Sequence, residues 1–240
     1  MISVIKDMKL NNWRRNAYIL MIIGPIQYLI LTTVAMVFYA GGTLVDPSSP
    51  GYFFWGNFFS DLGRVIALSG NSNIISYTIF TFSALILCFS FFPFSVAIPS
   101  FFKQEKKQFL LSKIGSIVGI ISISFFIAGI LTPWDIYNFT HLLFSNLFNF
   151  TGVIVIFFYC LAILLNKDYP NKYGYIYLGL FSFAMFYTIV LLNLPKSISA
   201  EGLIIQASLQ KVVHYFFVCC FLIQGYGAWR QAISSYDNKN

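Results

Sequence analysis

Six predominantly apolar runs divide this chain, at 17–38, 74–98, 114–131, 142–165, 176–194 and 209–228. Each is close to the length of about 20 residues that a helix needs to cross the hydrocarbon core of a bilayer. Even the shortest, 114–131, spans roughly 27 Å at about 1.5 Å per residue. Leucine, isoleucine and phenylalanine occur all round these runs, without the two-residue alternation of a membrane β-barrel strand. The pattern predicts an all-α integral membrane protein: one transmembrane domain over 1–240, built as a six-helix bundle.

Composition agrees. The chain is 58% hydrophobic and 10% charged, against roughly 45–50% and about 25% in soluble domains. That excludes an ordinary water-soluble domain and a disordered chain. The net charge of +7 is scattered between apolar runs, so it does not mark a nucleic-acid surface. It reads as topology instead. With the N-terminus cytoplasmic, twelve of the 15 lysines and arginines fall on cytoplasmic segments and three, Arg64, Lys196 and Lys211, on outer ones. The positive-inside rule then places both termini in the cytoplasm, and the basic segments attract anionic inner-leaflet lipid. Lys103 to Lys107 could also serve as a partner-docking site. The first apolar run is too long for a cleavable signal peptide, so the first helix is expected to be retained. The four cysteines fall within spans without metal or disulfide spacing and read as packing residues.

The connections are unequal. The first outer one, 41–73, is longer than structureless loops usually are and contains Tyr52, Phe53, Phe54, Trp55, Phe58 and Phe59. Such residues seek a core or a membrane interface. An ordered aromatic cap is expected, partly helical over 52–68. The second outer connection is Thr132 to His141, and the third, Pro195 to Ser208, carries Lys196, Ser197, Ser199 and Glu201.

Polar side chains near hydrocarbon are costly and therefore informative. Here they gather on the outer side: Asn57, Ser60, Asp61 and Arg64 in the cap, then Asp135, Asn138, Thr140 and His141. His141, Ser145 and Asn149 share one face of the fourth helix at i, i+4, i+8 spacing. Lys211 and His214 are expected in the first turns of the sixth helix, which puts both histidines of the chain near the outer face. Three readings follow. In a structural one, Asp61 pairs with Arg64, Asp135 caps the turn before the fourth helix, and the histidines bond across helices. In a binding one, Asn57, Ser60, Asp61, Arg64, Asp135, His141, Asn149 and His214 line an outward pocket for a lipid headgroup or small polar ligand. In a catalytic one, Asp61, His141 and His214 hold Zn²⁺ and activate water, as in intramembrane lipid hydrolases of the alkaline-ceramidase type. That type, however, brings a His-x-x-x-His pair that this chain lacks. Nucleophile elbows and phosphate-cradling glycine loops are absent. Transport is not supported: Pro93 reads as the sole mid-helix breaker, and the inner half reads as apolar.

Two strings carry a family resemblance: Gly56-Asn57-Phe58-Phe59-Ser60-Asp61-Leu62-Gly63-Arg64, and Leu131-Thr132-Pro133-Trp134-Asp135 with His141 six residues on. They resemble the six-span membrane family labelled domain of unknown function 998, similar to the DRAM-like membrane proteins. The resemblance implies a six-helix bundle over the whole chain, with the S-D-L-G element on the non-cytoplasmic side, and assigns no reaction. It extends to Asn57, Ser60, Asp61, Thr132, Asp135 and His141. Eukaryotic relatives are associated with lipid remodelling, lipid asymmetry and autophagy, which implies membrane lipids as partners. The expectation is a non-catalytic membrane protein that binds a lipid headgroup or small polar ligand at Asp61, Asp135, His141 and His214.

Overall fold

In a computed structural model, which describes residues 2–193 and 199–237, every long element is a helix. Helices α1 (Ile2–Val37), α2 (Ile74–Ala97), α3 (Lys106–Ile130), α4 (Asn138–Leu164), α5 (Asn171–Asn193) and α6 (Ala200–Asp237) follow one another, with short 3-10 turns at Phe59–Gly63 and Ile98–Phe102. No strand occurs among the described residues; one isolated bridge joins Ile66 and Ser72. All six helices are long and apolar enough to cross a membrane, compatible with a multi-pass membrane protein.

Five of the six helices begin before their apolar runs and α6 also ends beyond its own, because hydropathy marks where hydrocarbon would be and not where backbone bonding stops. The difference matters most for α6. It starts at Ala200, nine residues before the apolar run, so Lys211 and His214 lie about three turns inside the helix and not in its first turns.

Each helix packs on its neighbours in sequence, and α6 returns to α1, closing a ring. Two close approaches set its geometry. At Gly24 of α1 a side chain would run into Ser90 of α2, and at Gly225 of α6 one would come within 3.0 Å of the Met21 backbone. Pro25 and Pro93 both sit inside their helices, so Pro93 is not the sole proline within a span. Each removes one ladder bond without ending its helix. Phenylalanines fill the ring's centre: Phe217 packs on Phe91, Phe148 and Phe221, with centroids 6.4, 6.0 and 4.4 Å away. Outward the helices turn Ile30, Phe82, Phe89, Ile117, Phe150 and Phe186, an apolar periphery unlike that of a water-soluble domain.

The two ends of the ring differ. At one end the 41–73 connection folds into a cap over α1, α2 and α6. Its core is Phe59, Leu62 and Ala67 against Ala35, Tyr39 and Phe80. The expected helical content shrinks to the single 3-10 turn, since side-chain-to-backbone bonds and not a helical ladder hold the segment. Towards the other end lies a nest of buried tyrosines, Tyr18, Tyr159, Tyr169, Tyr173 and Tyr177. Tyr159 shares a 3.0 Å hydrogen bond with Ser116. The half of the bundle away from the cap is therefore not plainly apolar: tyrosines count as hydrophobic in a composition but carry hydroxyls into the core.

Candidate functional site at the capped end

The cap begins where α1 ends, at Gly41 and Gly42, with φ of +98° and +85°. These left-handed conformations suit glycine. A side chain on Gly42 would also strike the backbone of Leu68 and Ser69. The resulting turn aims the Gly42 carbonyl at Asn57.

Asn57 is fully buried and uses every polar atom of its side chain. Its Nδ2 donates to the Gly42 carbonyl at 2.8 Å and to Asp61 Oδ2 at 3.1 Å. Its Oδ1 accepts from the Phe53 N–H at 2.9 Å. The carbonyl of Asn57 accepts from the Tyr52 hydroxyl and from the Lys211 ammonium. Asp61, 5% exposed, takes a second bond on Oδ2 from the Phe58 N–H at 2.8 Å. Burial pushes its carboxyl above the ordinary range, partly offset by the bonds from Asn57 and Phe58 and by the positive charges of Arg64 and Lys211.

Helix α6 answers with three residues on one side. Gln210 Oε1 accepts from the Phe59 N–H at 2.9 Å. Lys211, 1% exposed, donates to the carbonyls of Asn57 and Ala207. Its Nζ also sits 5.4 Å from the Tyr52 ring centroid and 5.2 Å from that of Phe54, within reach of a cation–π attraction. His214 Nε2 is hydrogen-bonded to the Tyr28 hydroxyl at 2.8 Å, and its ring packs on Phe59 at 4.6 Å. Buried acid and buried base thus meet through Asn57 without a direct ion pair.

A second polar group forms nearby from the α3–α4 connection. Both oxygens of Asp135 accept from the Val65 N–H at 3.1 Å, and Oδ2 also accepts from the Ile66 N–H at 2.8 Å. Asp135 therefore secures the cap and does not cap α4. His141 Nδ1 faces two carbonyls, Gly129 at 3.0 Å and Thr132 at 2.9 Å. Carbonyls only accept, so Nδ1 carries the proton and closes the C-terminal end of α3.

The expected pocket residues accordingly separate. Asn57 and Asp61 join Lys211, with His214 alongside on α6. Asp135 and His141 are engaged with backbone. Arg64 makes no ion pair with Asp61; its Nε donates to the Ile66 carbonyl at 3.1 Å. Ser60 is partly buried, and Asn149 is exposed on α4. The alternative zinc set, Asp61, His141 and His214, is not gathered: among the described residues no three His, Cys, Asp or Glu side chains could hold a metal ion. Lys196 and Ser197 lie outside the described residues.

Gln210 and Tyr28 are what sequence reading missed; Lys211 is legible there beside His214 on the sixth helix, but only the structure brings it to the cap and into the site. The bundle's centre holds a mostly apolar gap of about 40 Å³ between Phe91, Phe148, Phe217 and Phe221, room for a few waters at the roughly 10–15 Å³ each needs.

The chain matches no known family model, no curated protein and no solved structure.

Proposed function

We propose that this chain is a multi-pass membrane protein, with both termini cytoplasmic and the cap outside, that binds a lipid headgroup or small polar ligand where the cap meets α6. The reading includes membership of the six-span family that its N-x-x-S-D-L-G and T-P-x-D…H elements resemble. One observation carries the binding claim. Asp61 and Lys211 are both buried at one junction, and they share Asn57 as intermediary without pairing directly. Buried charges are expensive to keep beside hydrocarbon. Welding the cap down does not require them, since Gln210 and Asp135 already do that with simpler bonds. An acid and a base held in this way suit a ligand that carries both charges, as a zwitterionic headgroup does. The exposed Phe53 and Trp55 beside them would rest at headgroup level.

Asp135 and His141 support a structural role for the second group, since all their hydrogen bonds go to backbone. No hydrolytic step is proposed, because the side chains present do not form a ligand set for zinc.

The test is thermal unfolding of the purified chain in nanodiscs of defined headgroup. The wild-type midpoint should rise with one headgroup class, and Asp61→Asn should remove that dependence. A midpoint indifferent to headgroup in both proteins would leave the junction as a structural clasp.

A further inference from the structure

The cap end contains a feature that the headgroup reading does not by itself explain: the surroundings of the Lys211 ammonium. Two carbonyls accept from it, those of Asn57 and Ala207. Two aromatic rings, Tyr52 and Phe54, face it, and the Asp61 carboxylate is joined to it through Asn57. Only Ala207 among these belongs to α6; the other four come from the cap. The cap has therefore built a receptor for a cation, and the cation in it is supplied by the neighbouring helix.

What such a receptor selects can be read from its walls. Carbonyl oxygens and a carboxylate repel anions. Aromatic faces attract cations through the ring quadrupole. Carbonyls further favour an ammonium with N–H donors over a quaternary one, which has none to give. The lysine occupying the box is a primary ammonium on an unbranched four-carbon stem, flexible enough to withdraw.

We propose that the cap–α6 junction is a binding box for a primary ammonium group, carried by a lipid headgroup such as ethanolamine or by a free amine, and that Lys211 is its tethered occupant when no ligand is bound. This rests on the headgroup reading above and names the end of the ligand that is recognised. Lys211 and the ligand compete, so the cap is closed on its own helix until an external ammonium replaces the lysine.

Two measurements decide it. In the first, Lys211→Ala removes the resident, and the full chain in detergent is titrated with n-propylammonium, which restores the missing atoms. The unfolding midpoint of the variant should fall and be recovered saturably by n-propylammonium. 1-Propanol and sodium chloride at equal concentration should not recover it. Adding Tyr52→Leu should weaken the rescue about tenfold, the equivalent of one desolvated cation–π contact. The second keeps the wild-type chain, so it holds even if Lys211→Ala does not fold. Lys211 is reductively methylated in nanodiscs and quantified by mass spectrometry. Phosphatidylethanolamine should expose it at least threefold more than phosphatidylcholine or phosphatidylglycerol does.

Rescue by n-propylammonium without headgroup-dependent methylation keeps the box, assigns it to free amines and removes the lipid-headgroup reading. Headgroup-dependent stability that favours anionic lipid, with neither rescue nor ethanolamine-dependent methylation, keeps that reading and overturns the ammonium box. Failure of both measurements overturns the box outright.

Discussion

At Asn57 one side chain and its own carbonyl join the Gly42 turn, the Phe53 amide, the Asp61 carboxylate and the Lys211 ammonium. Aspartate in that place could not donate, and alanine would leave the Phe53 N–H without a partner, at about 1–3 kcal/mol, while the Gly42 carbonyl and Asp61 keep the Tyr39 hydroxyl and the Phe58 N–H. Asp61 carries a pH signature of its own. Burial raises its folded-state pKa, so the folded chain holds this proton more tightly than the unfolded one. That contribution is fully present below the unfolded value of about 3.9 and is lost as pH rises through the higher folded value. Unfolding midpoints followed upward from pH 4 should therefore decline for the wild type, and Asp61→Asn should flatten the decline. A wild-type midpoint that rises with pH while the Asn variant stays flat would show that Asp61 is stabilised as the anion. Asp61 was recognisable in sequence as an acid at the rim. Its dependence on Asn57, four residues earlier, follows from a turn that no periodicity announces.

At the scale of elements, the α1–α2 pair is set by Gly24 against Ser90. Gly24→Ala would drive a methyl group into the serine, and overpacking of this kind costs about 1–3 kcal/mol. Ser90→Gly should restore most of the loss in the double variant, a coupling measurable by a mutant cycle in detergent unfolding. Additive losses would show that α1 shifts away and the pair does not share one contact. The tyrosine nest behaves differently. Tyr169 and Tyr177 have buried hydroxyls without a hydrogen-bond partner among the described residues. Removing an unsatisfied hydroxyl relieves its desolvation, so Tyr177→Phe should raise stability by about 1 kcal/mol. A loss of similar size would place an internal water on that hydroxyl. Apolar runs locate these helices, but their facing is hidden in the sequence: segments apolar all round give no stripe to orient.

At the scale of the whole molecule, six helices close a ring in which α6 meets α1. If all six cross the membrane, as proposed, an even number of crossings returns the chain to the side from which it started. Reporter fusions should then find both ends on one face, and under the proposed orientation that face is the cytoplasmic one. A tag inserted at the exposed Gly70 turn should be protease-accessible only from the other face. A tag there that is reached from the cytoplasm would reverse the assignment and carry the cap with it.

Local composition by itself determined the number, place and helical nature of the spans, because the cost of unpaired backbone in an apolar setting leaves few alternatives to helices. It also determined that the 41–73 segment would be ordered, since its six aromatic residues seek a core or a membrane interface. Tertiary structure alone decided which polar groups meet. Asp135 and His141, prominent in sequence, bond to backbone. Lys211, expected in the first turns of the sixth helix, lies about three turns inside it and fills the cap. Convergence of side chains from the cap and α6, 154 positions apart in sequence for the Lys211–Asn57 bond, depends on ring closure and helix rotation. Those are properties of packing between distant segments, which no local pattern encodes.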